Sequence, residues 1–285
     1  MPLSLSVIIP AYDEARRIGG TLHDVFRYLN AQEYDSELIV VDDGSKDDTV
    51  VVVKGIFASP ARGRVGARLV EVRPNRGKGH AVRAGLLAAR APVALFSDAD
   101  LSTPIAETPK LFEPIRQGRY DVVFGSRALD RSLIGVHQPW TREQSGRVFN
   151  LIMRLATGLP YWDTQCGFKA FRLDVCRPLV EGALIDRFGF DVELLYLAHE
   201  AGLRLREEPV RWDDAEGSKV GFRTGLHGFR ELLQVRRNAR RGLYAASTAR
   251  ARERAARVGD TRPAPPDEEP EPGGGFAREL AGLEA

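Results

Sequence analysis

The chain of 285 residues is 43% hydrophobic and 28% charged, with 41 basic against 39 acidic side chains and a formal net charge of +2. It is long and apolar enough to bury one large core; its charge balance gives no footprint for nucleic acid, and no run approaches the ~20 apolar residues of a membrane span. Cys166 and Cys176 have neither zinc-ligand spacing nor the density of a secreted disulfide scaffold, so two inert thiols in a reducing compartment are expected. Acids and a proline interrupt the N-terminal apolar run where a signal peptide would continue it, which predicts a cytoplasmic chain.

In chain order, apolar β-branched runs at 4–10, 37–43, 67–73, 92–98 and 120–127 predict five strands buried on both faces. Helical patterns at 14–31, 47–59, 77–90 and 104–117 separate them. The alternation predicts an α/β fold with a mostly parallel central sheet and helices on both faces. Ligands of such sheets bind beyond the carboxyl ends of the strands, and there the polar clusters fall: PAYDE, DDGS, NRGKG, DAD and GSR follow the five strands in turn. Beyond 127 the pattern loosens to a helix at 146–158, an amphipathic helix at 190–202 and an extended run at 203–212. A helix at 222–241 carries Phe222, Leu226, Phe229 and Leu233 on one face and ends in Arg236, Arg237, Arg240 and Arg241. After Val258 proline, glutamate and glycine dominate, predicting a disordered tail. The expected organisation is a globular domain over 1–221, a basic amphipathic segment over 222–257 and the tail over 258–285.

Asp98 and Asp100, one residue apart at a strand's end, are hard oxygen ligands suited to Mg²⁺ or Mn²⁺, which take one or two carboxylates and complete their shell from substrate phosphates. Taken alone, the pair also fits turn or capping aspartates ahead of a helix near Pro104. Asp42 and Asp43 end a buried strand, where a carboxylate can accept from a base N–H or ribose hydroxyls, or cap the next helix. In PNRGKGHAVRAG, Gly77 and Gly79 permit close backbone approach, the helix start favours an anion and Lys78 adds a point charge. The stretch lacks the end of a Walker A loop, and Val82 stands where a dinucleotide fingerprint has its third glycine. A nucleotide site that uses a metal is expected, whereas an oxidoreductase would leave DAD idle. The five histidines show no ligand spacing.

SVIIPAYDE, VVDDGSKDDT, NRGKGHAVRAG, DADLSTP, GSRA, DTQCGFKAF, FDVELLYLA and VRWDDAEGSKV occur in the order and spacing of family 2 glycosyltransferases. Over 4–241 the chain resembles the dolichyl-phosphate β-glucosyltransferases in particular, with polyprenyl-phosphate mannose synthases as relatives. The resemblance implies a GT-A fold and inverting transfer of a hexose from a nucleotide sugar, UDP-glucose by branch, to a polyprenyl phosphate with Mg²⁺ or Mn²⁺. GDP-mannose as donor and a hydroxyl acceptor are the alternatives within the family; an oxidoreductase or a non-catalytic binding module lies outside it. Carried over by position, Pro10, Ala11, Tyr12 and Glu14 line the nucleotide, and Asp42, with Asp43 beside it, holds base or ribose. Asp98, with Ala99, contacts ribose and metal, and Asp100 ligates the metal. Asp13 stands where the family usually has Asn; Ser102 stands where mannose synthases have Gln, which leaves the third protein ligand open and argues against mannose.

Lys78 and Arg127 are placed to stabilise charge developing on the leaving diphosphate. An acceptor that is already a phosphate needs cations rather than a strong base. Arg127, Arg142, Lys169 and Lys219, with Ser218 as a donor, are the candidates, each also compatible with a solvated surface charge. Asp191 falls where hydroxyl-directed inverting relatives keep a base; here it orients acceptor or sugar, or caps a helix near Val192. Trp140, Tyr161 and Trp162 fit a lipid groove or a satellite core. Because a polyprenyl phosphate lies in a bilayer, the helix at 222–241 is expected either to meet an anionic membrane surface, making the protein peripheral on the cytoplasmic face, or to pack on the core with its arginines solvated.

Overall fold

The computed structural model describes residues 3–136, 157–214 and 222–259, with side chains throughout these except at 222–229. The first apolar runs become strands and the periodic stretches between them helices: β1 (Leu3–Ala11), α1 (Ile18–Asn30), β2 (Asp35–Asp42), α2 (Thr49–Ala58), β3 (Gly66–Glu71), α3 (Lys78–Ala88), β4 (Val93–Ser97), α4 (Thr108–Arg116) and β5 (Val122–Ser126). β1 pairs in parallel with β2 so that Ala11 lies opposite Asp42, and β2 pairs with β3 so that Asp42 lies opposite Glu71. The loops after these strands therefore emerge side by side at one edge.

Side chains on β1 alternate between two cores, as a period of two requires. Ile8 joins Val82, Leu86, Phe96 and Phe124 on one face, while Val7 and Ile9 join Phe26, Leu29 and Phe112 on the other. β3 differs from expectation: it is the sheet's edge and only half-buried, because β2 pairs with it on one side and no strand on the other.

Beyond β5 lie β6 (Ile134–Val136), β7 (Phe168–Arg172), α5 (Leu173–Gly182), α6 (Phe190–Glu200), β8 (Leu205–Pro209), β9 (Trp212–Asp213), α7 (Phe222–Arg240) and α8 (Ala245–Gly259). The seven-stranded sheet has the order β3-β2-β1-β4-β7-β5-β8 and is parallel except for β7, which runs antiparallel between β4 and β5. β6 and β9 form a separate pair. The sequence pattern predicts no strand at β7 and no helix at α5. Most of the helix expected at 146–158 lies outside the described residues.

The basic segment resolves into two helices rather than one. Gly242, at φ +70°, ends α7 in the left-handed conformation that glycine adopts without strain. Leu232, Val235, Tyr244 and Ala251 then join the core cluster of the sheet and α5. The fully buried Glu193 accepts from Leu184 N (2.8 Å), Ile185 N (2.9 Å) and Tyr244 Oη (2.6 Å), tying the start of α8 to α6. Burial still pushes the Glu193 carboxyl up despite these donors.

Candidate active site

The loops after β1 and β2 are sewn into one wall. Asp13 sits at φ +52°, which short polar side chains tolerate and which explains a preference for Asn in this place. Its N–H donates to Ser45 Oγ (3.0 Å) and its Oδ1 accepts from Lys46 N (2.7 Å), while Glu14 N–H donates to Thr49 Oγ1 (2.8 Å). Pro10 and Ala11 are buried in the floor, with Tyr12 and Glu14 half-buried above them. Asp42 is fully buried and accepts from Ser45 N (3.2 Å).

Asp43 and the glycine loop behave differently from the sequence expectation. The Asp43 carboxylate accepts from Arg76 N (3.0 Å) and Gly77 N (2.7 Å), so it holds the loop that follows β3. Gly79 N donates to Arg187 O (3.1 Å) and His80 N to Asp186 O (2.9 Å). The amides expected to receive an anion at the start of α3 are thus taken by protein carbonyls from the segment ahead of α6. Arg76 and Arg83 pair with the Asp186 carboxylate at 2.8 and 2.6 Å and lock that segment down. The glycines serve this close approach: Gly77 has φ +114°, and a Cβ there would lie 2.6 Å from Asp186 O. Gly77→Ala is expected to lower stability by roughly 1–3 kcal/mol, the cost of a non-glycine residue forced into that region, as read by urea denaturation.

Lys78 alone projects from this loop into the site, its Nζ 2.6 Å from Asp98 Oδ1 and 5.9 Å from the Phe190 ring centroid. Burial works against its charge, but the carboxylates of Asp98, Asp191 and Asp100 outweigh that and hold its pKa above the ordinary lysine value. Asp98 N donates to Gly167 O (3.2 Å), and any side chain at Gly167 would collide with the Asp98 carboxylate. The glycine of DTQCGFKAF therefore exists to let β7 begin against DAD. Ala99 O accepts from Thr21 Oγ1 (2.5 Å), fixing the loop from the other side. Asp100 Oδ1 accepts from Ser102 N (3.0 Å), a turn contact rather than a cap, since α4 starts later behind Glu107. Leu101 between them is held at φ +50°. Among the described residues no group of three or more His, Cys, Asp or Glu converges for a metal. Asp98 and Asp100 are hard oxygen donors for a Mg²⁺- or Mn²⁺-sized cation, provided that phosphate oxygens complete the shell; the Lys78 ammonium on Asp98 shows that this place accepts positive charge.

Arg127, just beyond β5, is clamped by Asp163. Nε and Nη2 reach Oδ2 and Oδ1 at 2.6 and 2.9 Å, the Arg127 amide adds a third bond at 3.0 Å, and the guanidinium lies 5.6 Å from the Trp212 ring centroid. Glu207 on β8 in turn accepts from the amides of Trp162 (2.8 Å) and Asp163 (2.7 Å). Burial would raise the Asp163 carboxyl, but Arg127 overrides it and keeps the group below the usual range. Burial opposes the Arg127 charge too, and Asp163 outweighs it, with the more distant Asp98 adding in the same direction. Sequence reasoning did not single out Asp163, although DTQCGFKAF contains it; the missing signal was its partner, 36 residues away.

Lys169 corrects another expectation. Second in β7, it is 0% exposed, its Nζ donating to Asp191 Oδ1 (2.7 Å) and to Cys166 O. It cannot meet an acceptor; it holds Asp191. Asp191 lies inside the first turn of α6, whose N-cap is Gly189, so it does not cap the helix. Burial raises its pKa, with Lys169 and Lys78 opposing. Tyr161 packs edge-on against Phe124 with centroids 5.1 Å apart, beside the core, and burial pushes its hydroxyl up to about 12. Both cysteines are buried, with burial pushing the Cys166 thiol up to about 11. Arg142, Ser218, Lys219 and Trp140 lie outside the described residues.

The sheet with its surrounding helices recurs among known structures. The glucosyl-3-phosphoglycerate synthase of Mycobacterium tuberculosis, solved with Mn²⁺, UDP and glucosyl-3-phosphoglycerate, superposes with a TM-score of 0.57 at 22% identity, over 81% of this chain and 79% of that one. The fold is the GT-A fold of glycosyltransferases. The model of glycosyl transferase family 2 matches residues 6–179, and the chain belongs to that family. It is 38% identical over 245 residues to the dolichyl-phosphate beta-glucosyltransferase of Drosophila melanogaster, spanning 82% of this chain and 74% of that protein. The human protein of the same description is 32% identical over 244 residues, spanning 81% of this chain and 74% of its own.

Proposed function

We propose that the chain transfers glucose from UDP-glucose to a polyprenyl phosphate, with inversion and with the help of Mg²⁺ or Mn²⁺. The observation that carries this reading is a pair of charge stations on one sheet edge. Lys78 stands over Asp98 and Asp100 at one, Arg127 is clamped by Asp163 at the other, and the field of Asp98 reaches Arg127. One station suits a donor diphosphate, the other an acceptor phosphate.

The wall formed by Pro10, Ala11, Tyr12, Glu14 and Asp42 holds the nucleoside. Asp43 acts on it indirectly, through the loop it fixes. Asp98 and Asp100 hold the cation, which when bound supplies positive charge against the diphosphate. Lys78 adds a charge-assisted contact on the same group. An acceptor phosphate oxygen forms the bond to the anomeric carbon as the bond to the diphosphate oxygen breaks, and no proton needs to be removed. Arg127 positions that phosphate through the N–H groups that Asp163 leaves open, and Asp191, fixed by Lys169, orients the sugar or acceptor. Radiolabelled UDP-glucose and GDP-mannose supplied separately with polyprenyl phosphate test the donor: faster turnover of UDP-glucose is expected, and a preference for GDP-mannose contradicts the reading.

The same proposal places the protein at the cytoplasmic face of a membrane. No helix among the described residues is long and apolar enough to cross one. On α7 the outward side carries Leu233, 64% exposed, and the turn after it carries Leu243, 54% exposed. Around them Arg230, Arg237, Arg240 and Arg241 are exposed and find no side-chain acceptor among the described residues. On α8, by contrast, Arg250, Arg252 and Arg254 pin the helix to Glu181, Glu200 O and Asp174 O. Unpaired arginines beside exposed leucines suit an anionic bilayer surface, where each contributes about 1 kcal/mol. Replacing Arg236, Arg237, Arg240 and Arg241 by Ala should reduce sedimentation with anionic liposomes at least about tenfold while transfer to a short water-soluble prenyl phosphate survives. Salt-independent sedimentation contradicts it.

A further inference from the structure

The two metal-type carboxylates are not approached by a neutral side chain but by a cation already in place. Lys78 Nζ is 2.6 Å from Asp98 Oδ1, and its charge also interacts with Asp100 and Asp191. Asp191 has its own direct partner in Lys169, whereas Asp98 is the carboxylate that Lys78 touches. The backbone beneath Lys78 is fixed: Gly77 donates to Asp43, and Gly79 and His80 donate to the carbonyls of Arg187 and Asp186. Only the methylene stem can move, and the side chain keeps 27% of its surface exposed.

From this geometry we infer that Lys78 is a resident counter-ion on Asp98 that suppresses divalent-metal binding until a nucleoside diphosphate is present. The inference rests on the donor-site reading above and deepens it. A divalent ion approaching Asp98 alone must crowd an ammonium held by the same oxygen, and two carboxylates supply too few ligands for it. A diphosphate changes both terms: its oxygens complete the metal's shell, and its charge offers the ammonium a new partner to which the flexible stem can swing. Metal and nucleotide then bind with positive coupling, and coupling is reciprocal. The consequence is an ordered donor site in which Asp98 and Asp100 do not hold free metal, and a separate role for Lys78 from transition-state charge stabilisation.

The test reads Mn²⁺ binding directly, by the electron paramagnetic resonance signal of free Mn²⁺, on the full chain with and without saturating UDP. For the wild type, UDP is expected to tighten Mn²⁺ binding at least about tenfold, within the range of ordinary coupling. Lys78→Gln, and independently Lys78→Met, should bind Mn²⁺ without UDP about tenfold tighter than the wild type and show a smaller UDP effect. Circular dichroism and UDP-induced thermal shifts on the same variants establish that the fold persists. Mn²⁺ affinity of both variants within twofold of the wild type in the absence of UDP, with coupling unchanged, overturns the counter-ion role while leaving the donor site standing. No Mn²⁺ binding by the wild type even with UDP overturns both.

Discussion

Asp100→Ala is expected to reduce glucosyl transfer by about 10²–10⁴-fold while changing unfolding stability by no more than about 1 kcal/mol. A bound cation contributes several kcal/mol to stabilising a departing diphosphate, and each ~1.4 kcal/mol is tenfold in rate. Among the described residues, the hydrogen bond that Asp100 gives the fold is its turn contact from Ser102 N at 3.0 Å, and a single such bond is worth about 1 kcal/mol. The two readouts therefore separate. Steady-state transfer assays and urea denaturation on the same preparation check the expectation; wild-type turnover, or a stability loss large enough to explain the inactivity, refutes it.

Lys169→Met should do the reverse, costing about 3–5 kcal/mol of stability at neutral pH, because removing one partner of a buried pair strands the other charge. The stranded group is Asp191, whose side chain is nearly sealed and whose charge is then opposed by Asp98 and supported by Lys78 alone. The pH dependence follows from the direction of the Asp191 shift. Burial raises its folded pKa above the unfolded value of about 3.9. The protonated form is then favoured in the fold, so the group's contribution is fully present below the unfolded pKa and is lost as pH rises through the folded one. Deleting Lys169 removes the largest opposing influence and raises the folded pKa further. The deficit of Lys169→Met should accordingly be greatest near pH 7–8 and shrink toward pH 4. Adding Asp191→Leu should recover most of the stability but not the activity. A deficit that does not vary with pH contradicts this account of the pair.

The parts of this structure legible in the sequence are those written by local pattern. Five apolar runs appear as β1 to β5 within a few residues of their expected ends, and the polar clusters that follow them do meet at one edge, because parallel strands start their loops on the same side. β7 was illegible for the opposite reason. Its five residues carry a lysine second, which periodicity reads as surface, and only Asp191, 22 residues on, together with flanking Phe96 and Phe124, makes that lysine a core residue. The glycine loop shows the same limit. Gly77 and Gly79 announce a close approach, but not by what; the carbonyls that take the amides belong to residues more than a hundred positions away. Arg127 was visible as a cation at a strand's end, whereas the Asp163 that fixes its orientation was visible only as part of a motif. The helix α8 was legible only as part of the basic segment over 222–257, because its arginines and alanines make a weak apolar stripe and its tie to α6 runs through the polar hydroxyl of Tyr244.

Transfer of glucose to a polyprenyl phosphate with inversion leaves its record at the anomeric carbon of the lipid product. Proton NMR of the lipid formed from UDP-glucose and polyprenyl phosphate in the presence of Mn²⁺ reads it at the anomeric proton. A single glucosyl phosphate lipid in the β configuration is expected, formed with release of UDP and lost on chelation. An α-linked product, or UDP release with no sugar on the lipid, would contradict it.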